Sequence, residues 1–205
     1  MTMSETHAPR RNPTQQRSRE RLEKILAVAT EIIAARGGDQ LKMSEVAERA
    51  EVSIGSLYQY FPDKGAILRA LAERYNAQSR QCIADGLAGV HDLASLEAAY
   101  GGLLDQYYEI VQAEPVMRDI WSGMQGDRTL MALELEESRV AGEMLAAAMA
   151  RAHPGLDPAK IAASAFLIWH LGEATMRLAV SQSPAEGAAM VEAFKRMTLA
   201  QILAP

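Results

Sequence analysis

The sequence predicts an all-α fold of about nine helices, in which a small three-helix unit precedes a larger helical domain. Apolar residues recur at the 3.6-residue period of a helix along most of the chain, and no stretch gives a strand signal. Proline and glycine clusters separate the periodic stretches. With 205 residues, 49% of them hydrophobic, the chain is long enough to bury a sizeable core.

The first helix is defined by an apolar face and by the glycines that end it. The face consists of Leu22, Ile25, Leu26, Ala29, Ile32 and Ile33. The run Arg36-Gly37-Gly38 follows and predicts a C-cap, because glycine readily adopts the left-handed backbone found there.

Residues 41 to 68 predict two short helices joined by a tight turn, with another helix directly behind them. One side of the first short helix is apolar and comprises Val46, Ala47 and Ala50. The hydroxyl of Ser53 is suited to cap the second, a contribution of about 1 kcal/mol. Leu57 and Phe61 give that helix a buried stripe, and Pro62 ends it.

The outward face of the second short helix lacks the lysines and glutamates of an ordinary solvated surface. It comprises Ile54, Gly55, Ser56, Tyr58, Gln59 and Tyr60. Hydroxyls and the helix N-terminus at Ser53 can donate to phosphates, and the apolar members can meet base edges. We expect Lys42, Ser44 and Lys64 to contact the DNA backbone beside it. The alternative is ordinary packing within an all-helical protein.

The run from Val46 to Leu68 resembles the DNA-binding signature of the TetR family of bacterial transcriptional regulators. That signature is similar to I-A-x-x-A-G-V-S-x-G-T-L-Y-x-Y-F-x-S-K-x-x-L. The matching positions are Val46, Ala47, Ala50, Val52, Ser53, Gly55, Ser56, Leu57, Tyr58, Tyr60, Phe61, Lys64 and Leu68. Glu51 departs from the pattern, because the family tends to have glycine there, and a left-handed backbone would strain it. Lys42 and Gly65 also depart, but neither lies on the outward face of residues 54 to 60.

The net charge of -5 at first argues against DNA binding, but the charge is unevenly distributed along the chain. Residues 1 to 64 hold ten Lys or Arg against nine Asp or Glu, hence +1, and the remainder holds 11 against 17, hence -6. Residues 1 to 13 predict a flexible basic arm, for which contact with DNA and a merely solvated tail are equally open. The predicted domains are this arm, a helix-turn-helix DNA-binding domain over 14–64, and an effector-binding and dimerisation domain over 65–205.

Other protein classes find little support. No apolar run approaches the roughly 18 residues of a membrane span, and the N-terminus lacks the apolar segment of a signal peptide, so a cytoplasmic protein is expected. Cys82 is the single cysteine, which excludes an intramolecular disulfide and favours a reducing compartment. We find no catalytic motif and expect no cofactor. His170 and Glu173 are suitably spaced for half of a metal site, but a hydrogen-bonded pair is favoured because further ligands are lacking, so no metal is expected.

Six helices are predicted after Pro62. Their apolar faces run over 67–75, 96–111, 116–124, 133–148, 161–179 and 191–202. Pro115, Pro158 and Pro184 stand at the starts of three of them, where proline is tolerated because the first amides of a helix have no internal partner.

The family resemblance implies that the larger domain pairs two subunits and encloses a small-molecule pocket. The dimer candidates are Ile161, Ala165, Gly172, Met176, Val191, Phe194 and Thr198. Small and large residues alternate among them, which would allow a partner helix close approach, although such stripes are usually intramolecular core. The effector candidates are Tyr107, Trp121, Met124, Met144 and Trp169. Because few charged residues interrupt these faces, an apolar or aromatic effector is expected.

These observations predict a homodimeric transcriptional regulator, most simply a repressor, that binds double-stranded DNA at a near-palindromic operator and is released by a small molecule. Two alternatives are a ligand-independent architectural DNA-binding protein and a helical small-molecule-binding protein or enzyme.

Overall fold

The computed structural model describes residues 13–124 and 128–204, and in these ranges it contains nine α-helices, one short 3-10 helix and no strand. The all-α prediction of about nine helices is therefore confirmed. The α-helices are α1 Pro13–Arg36, α2 Met43–Arg49, α3 Ile54–Tyr60, α4 Lys64–Leu87, α5 Leu93–Ala113, α6 Pro115–Met124, α7 Arg128–Ala152, α8 Pro158–Ala179 and α9 Pro184–Leu203. The proposed arm, apart from Pro13, and the side chain of Met124 lie outside the described residues.

The chain divides into two compact units, one ending at Ile67 and the other beginning at Leu68. The division falls inside α4, a few residues beyond the boundary predicted after residue 64.

In the first unit, α1 packs against α2, and α2 packs against α3. The buried side chains of these helices are Ile25, Leu26, Val28, Ala29, Ile32, Ile33, Val46, Ala47 and Leu57. Leu22, at the edge of the predicted α1 face, is only half-buried. Helix α1 ends at Arg36 as predicted, and Gly37 continues with φ 86°, a left-handed backbone that favours glycine.

In the second unit, α8 lies between α7 and α9, and α5 packs against α9. A Cβ atom added to Gly142 of α7 would lie 2.8 Å from Cα of Phe166 in α8, so the backbones approach more closely than any larger residue allows. Two helices of this unit start with reciprocal capping boxes, Asp92 with Ser95 and Ser183 with Glu186.

The seven residues expected at a dimer interface are buried inside this single unit. They are Ile161, Ala165, Gly172, Met176, Val191, Phe194 and Thr198. The structure therefore corrects the expected interface. The stripe of small and large residues does permit close helix approach, but it serves packing between helices of the same chain.

The opposite faces of α8 and α9 carry several accessible apolar side chains. Leu167, Leu171 and Leu178 of α8 are 54%, 53% and 52% exposed, and Met197 of α9 is 71% exposed. Sequence periodicity missed this face because α8 is apolar on both sides, and only the packing of α7 and α9 distinguishes them.

Candidate DNA-binding surface and effector cavity

The turn between α2 and α3 is tight and places one residue in a strained conformation. The amide of Val52 donates to the carbonyl of Ala47 at 3.0 Å, which closes the turn. Glu51 has φ 56°, so it adopts the left-handed backbone that the family's usual glycine would take without strain. The carboxylate of Glu51 pairs with the ammonium group of Lys24 on α1, and this hydrogen-bonded charge lowers the pKa of Glu51.

Helix α3 starts with the predicted serine cap. The amide of Ser56 donates to Oγ of Ser53 at 3.1 Å, which satisfies one of the free amides at the helix N-terminus. Leu57 is fully buried beneath the helix and fixes which side faces outward.

The outward face of α3 is accessible and mainly uncharged. Ile54 is 45% exposed and Tyr58 is 49% exposed, and Gly55 and Gln59 are exposed as well. An added Cβ at Gly55 would meet no atom within 4 Å, so packing inside the protein does not require glycine there. The outward placement predicted for these four residues is therefore found in the structure.

Ser56 and Tyr60 are less accessible than the sequence suggested, because both are half-buried. The hydroxyl of Tyr60 lies 3.0 Å from Oγ of Ser18 on α1, within hydrogen-bond distance. Sequence analysis missed Ser18, which is 42 residues away and gave no local signal. The two hydroxyls form a pair in which one hydrogen joins them and the other stays available to an outside acceptor.

Three further predicted DNA contacts surround the two helices. Lys42 and Ser44 are exposed at the start of α2. Lys64 is half-buried at the start of α4, and its Nζ lies 3.8 Å from Oδ1 of Asp39. Asp63 caps α4 by accepting from the amide of Ala66 at 2.7 Å. The ammonium of Lys64 therefore has a long ion pair with Asp39, which a DNA phosphate would have to replace.

The second unit contains a cavity of about 160 Å³ that adjoins two smaller ones of about 50 and 20 Å³. Tyr107 and Trp169 line all three cavities, and Trp121 lines the 50 Å³ cavity, in agreement with the sequence analysis. The remaining wall of the 160 Å³ cavity comprises Tyr75, Gln78, Ser79, Cys82, Ile83, Leu103, Ile110, Glu114 and Met117.

Met144 does not line this group of cavities. It lies in a separate open groove with Leu87 and Arg151, so the structure does not place it with the other effector candidates. Cys82 is half-buried, and its thiol donates to Oε1 of Gln106 at 3.3 Å.

The 50 Å³ cavity is lined by charged groups, and the expectation of few charges near the site was wrong. Three carboxylates of its wall come from Glu134, Glu137 and Glu173. Arg177 pairs with Glu134, and Arg80 pairs with Glu137. These side chains come from α4, α7 and α8, and sequence spacing within one helix cannot show that they meet.

Glu173 has a hydroxyl rather than a guanidinium as its hydrogen-bond donor. Ser138 Oγ donates to Oε2 of Glu173 at 2.8 Å and lies 3.1 Å from Nδ1 of His170. Burial raises the pKa of Glu173 to about 7, the carboxylates of Glu134 and Glu137 add to the rise, and Ser138 and Arg177 oppose it. Burial also raises the pKa of Tyr107.

His170 and Glu173 are joined through the buried hydroxyl of Ser138, which differs from the hydrogen-bonded surface or interface pair that the sequence analysis favoured over half of a metal site. Among the described residues, no group of three or more His, Cys, Asp or Glu side chains is placed to hold a metal ion. None of the helices within the described ranges is long and apolar enough to cross a membrane.

The α2–α3 pair, with its outward uncharged face, followed by an all-helical unit with an internal cavity, defines a helix-turn-helix transcriptional regulator. Two family models match the chain: bacterial regulatory proteins of the tetR family over residues 25–71, and the tetracyclin repressor-like C-terminal domain over residues 94–205. The chain belongs to the TetR family of bacterial transcriptional regulators.

Individual relatives agree with this assignment. The HTH-type transcriptional repressor KstR of Mycobacterium tuberculosis is 29% identical over 155 residues, which cover 74% of this chain and 68% of KstR. A TetR-family regulator from Streptomyces coelicolor has a similar fold, with a TM-score of 0.69, 22% identity, and coverage of 89% of this chain and 95% of that one. The regulator FadR from Bacillus subtilis, solved with stearoyl-CoA, has a TM-score of 0.62 at 17% identity, covering 89% and 98%.

Proposed function

We propose that this regulator is a homodimeric repressor that binds a near-palindromic operator and leaves it when a small molecule occupies the cavity of the second unit. The observation that carries the proposal is the outward face of α3. It is exposed, uncharged and open at Gly55, and a duplex is the partner that such a face fits.

Glycine at position 55 supports a closely approaching partner. An added Cβ would meet no protein atom within 4 Å, so packing inside the protein does not require glycine here, and a partner that approaches the helix closely would account for it. A DNA backbone or base edge that meets the helix directly requires such a position. Ile54 and Tyr58 flank it, with an apolar side chain for thymine methyl groups and a hydroxyl for a phosphate or base.

The dimer is proposed to form through the exposed faces of α8 and α9. Leu167, Leu171, Leu178 and Met197 give these faces an apolar character that water solvates poorly, and a second copy would bury it. Two copies related by a twofold axis would present two α3 helices to a near-palindrome.

Repression is supported by the similarity to KstR, which is a transcriptional repressor. Regulation by a small molecule is supported by the cavity and by the similar fold of FadR, which was solved with stearoyl-CoA. A ligand changes operator affinity only by its different affinities for the DNA-binding and released forms.

The test is selection of bound sequences from a pool of random double-stranded DNA, using the full chain. We expect a near-palindromic consensus with two half-sites about one helical turn apart. A control variant, Lys160→Gln, changes an exposed lysine at the start of α8 and should return the same consensus. A weak consensus without symmetry would indicate an architectural protein, and the absence of enrichment would contradict DNA regulation altogether.

A further inference from the structure

We propose that the effector of this regulator is a small cationic amphiphile, an aromatic or apolar group bearing an amine or quaternary ammonium, recognised by Glu173 and the surrounding aromatic rings. This inference rests on the proposed function and gives its effector a chemical class. It adds a positive charge to the apolar or aromatic ligand that the sequence suggested.

The charges around the 50 Å³ cavity favour a cationic ligand. Its wall holds the carboxylates of Glu134, Glu137 and Glu173, whereas two guanidinium groups face them. Each guanidinium is committed to one of the first two carboxylates. When Glu173 is ionised, the cluster has one negative charge in excess, and one positive charge on a ligand would neutralise it.

The immediate environment of Glu173 also favours a cation beside its carboxylate. Its carboxylate receives a neutral hydrogen bond from Ser138 and is otherwise held in a desolvated setting. Burial therefore raises its pKa to about 7, so in the empty cavity a proton competes with the ionised form near neutral pH. A cation could take the place of that proton, because it stabilises the ionised carboxylate in the same way.

The aromatic side chains that line the cavities can also bind a cation. Tyr75, Tyr107, Trp121 and Trp169 line the cavities, and rings of this kind attract a cation through the negative charge of their faces. The chain already contains one such contact there, since the guanidinium carbon of Arg177 lies 5.9 Å from the centre of the Trp121 ring.

The sizes and linings of the two cavities match a ring with a charged head group. The 160 Å³ cavity has an apolar part formed by Ile83, Leu103, Ile110 and Met117. A cavity of roughly 150 Å³ accommodates a benzene ring. The adjoining 50 Å³ cavity, with the carboxylates, suits a compact head group. A single ring that carries a cationic head therefore matches both parts.

The nearby titratable groups come from four helices. They are Tyr75 and Arg80 of α4, Tyr107 of α5 with Glu114 just after it, Glu134 and Glu137 of α7, and His170 and Arg177 of α8. His170 faces Ser138 rather than the carboxylate. The experiment therefore includes a variant that changes Glu173 and leaves His170 in place.

The test compares three probes by isothermal titration calorimetry on the full chain without DNA. Benzyltrimethylammonium is the cation, neopentylbenzene is its neutral isostere, and phenylacetate is an anion of similar size. We expect the cation to bind at least tenfold more tightly than either of the others at pH 8. Since the quaternary ammonium cannot titrate, its affinity should rise roughly tenfold from pH 6 to pH 8 as Glu173 ionises.

Two variants test whether Glu173 causes the cation preference and its pH dependence. Glu173→Gln keeps an acceptor for Ser138 and should lose both the cation preference and the pH dependence, with its fold checked by circular dichroism. Glu143→Gln removes an exposed carboxylate of α7 outside the cavities and should bind like the unmodified chain. Equal binding of the neutral isostere, tighter binding of the anion, no binding of any probe, or a pH dependence that survives in Glu173→Gln would each overturn the proposal.

The absence of DNA from this titration keeps the two proposals distinguishable. Failure of the cation preference together with a near-palindromic consensus would reject the effector class alone. Cation binding without any selected consensus would instead reject the operator-binding function.

Discussion

The hydroxyl of Tyr100 on α5 donates a hydrogen bond of 2.8 Å to Oγ1 of Thr198 on α9, and both residues are buried. Thr198 in turn donates to the carbonyl of Phe194 at 2.8 Å. Burial raises the pKa of Tyr100 to about 12, so the phenol stays protonated and donates. Thr198, expected at a dimer interface, is thus a polar contact inside one chain.

This contact predicts coupled effects on stability. Thr198→Val leaves the buried Tyr100 hydroxyl without its acceptor and should lower the free energy of unfolding by about 1 to 3 kcal/mol. Adding Tyr100→Phe to that variant should recover part of the loss, because the orphaned hydroxyl is then gone. Urea unfolding at one fixed protein concentration measures both. A double variant that is less stable than Thr198→Val alone would show that the two hydroxyls act independently.

Gly55→Ala should separate fold stability from DNA binding. The added methyl group meets no protein atom, and alanine favours a helix over glycine by roughly 0.5 to 1 kcal/mol, so the unfolding temperature should not fall. Operator affinity should drop at least tenfold, because the methyl group would meet the duplex. Thermal unfolding and fluorescence anisotropy provide the two readouts. Unchanged affinity would contradict close approach of DNA at this position.

Tyr58 and Tyr60 should differ in their contributions to operator binding. Tyr58→Phe removes the hydroxyl of an exposed side chain and should weaken binding about tenfold, as expected for one hydrogen bond to a charged group. Tyr60→Phe should have a smaller effect, within about threefold, because that hydroxyl already pairs with Ser18. Anisotropy titrations at one salt concentration compare them. The reverse order would place Tyr60 rather than Tyr58 against the DNA.

Leu171→Glu should disrupt the homodimer. The side chain is 53% exposed on the α8 face proposed to meet a second copy, and burying an unpaired carboxylate there is costly. Sedimentation equilibrium should show at least a hundredfold weaker association. Met131→Glu is the matched control, since Met131 is equally exposed at 53% but lies on α7. Dissociation by the control, or an intact dimer of Leu171→Glu, would exclude this interface.

Glu173 should make stability depend on pH. Its folded pKa of about 7 lies above the ordinary value of 4.5, so folding favours the protonated form. Stability should therefore be greatest below about pH 4.5 with respect to this group, fall as the pH rises toward 7, and level off above it. The total change is on the order of 3 kcal/mol.

Glu173→Gln should lack this contribution, because its side chain does not titrate. Denaturant unfolding of both proteins from pH 5 to pH 8 isolates the difference between them. A constant difference across that range would show that Glu173 titrates normally in the folded chain, since the other titrating groups are common to both proteins.

Local spacing was enough to predict the helices and their ends. Ser53 caps α3, and α1 ends before Gly37. These features depend on hydrogen bonds and steric contacts among residues at most a few positions apart, so they can be predicted from the local sequence.

Packing between distant helices decided the rest. Which apolar side of α8 is buried depends on α7 and α9, and the pairing of Tyr60 with Ser18 joins residues 42 positions apart. The carboxylates around Glu173 meet only because α7 and α8 lie side by side. Periodicity along one helix specifies an apolar face, but the neighbours that cover it, and the charges that they bring, are set by contacts far apart in the chain.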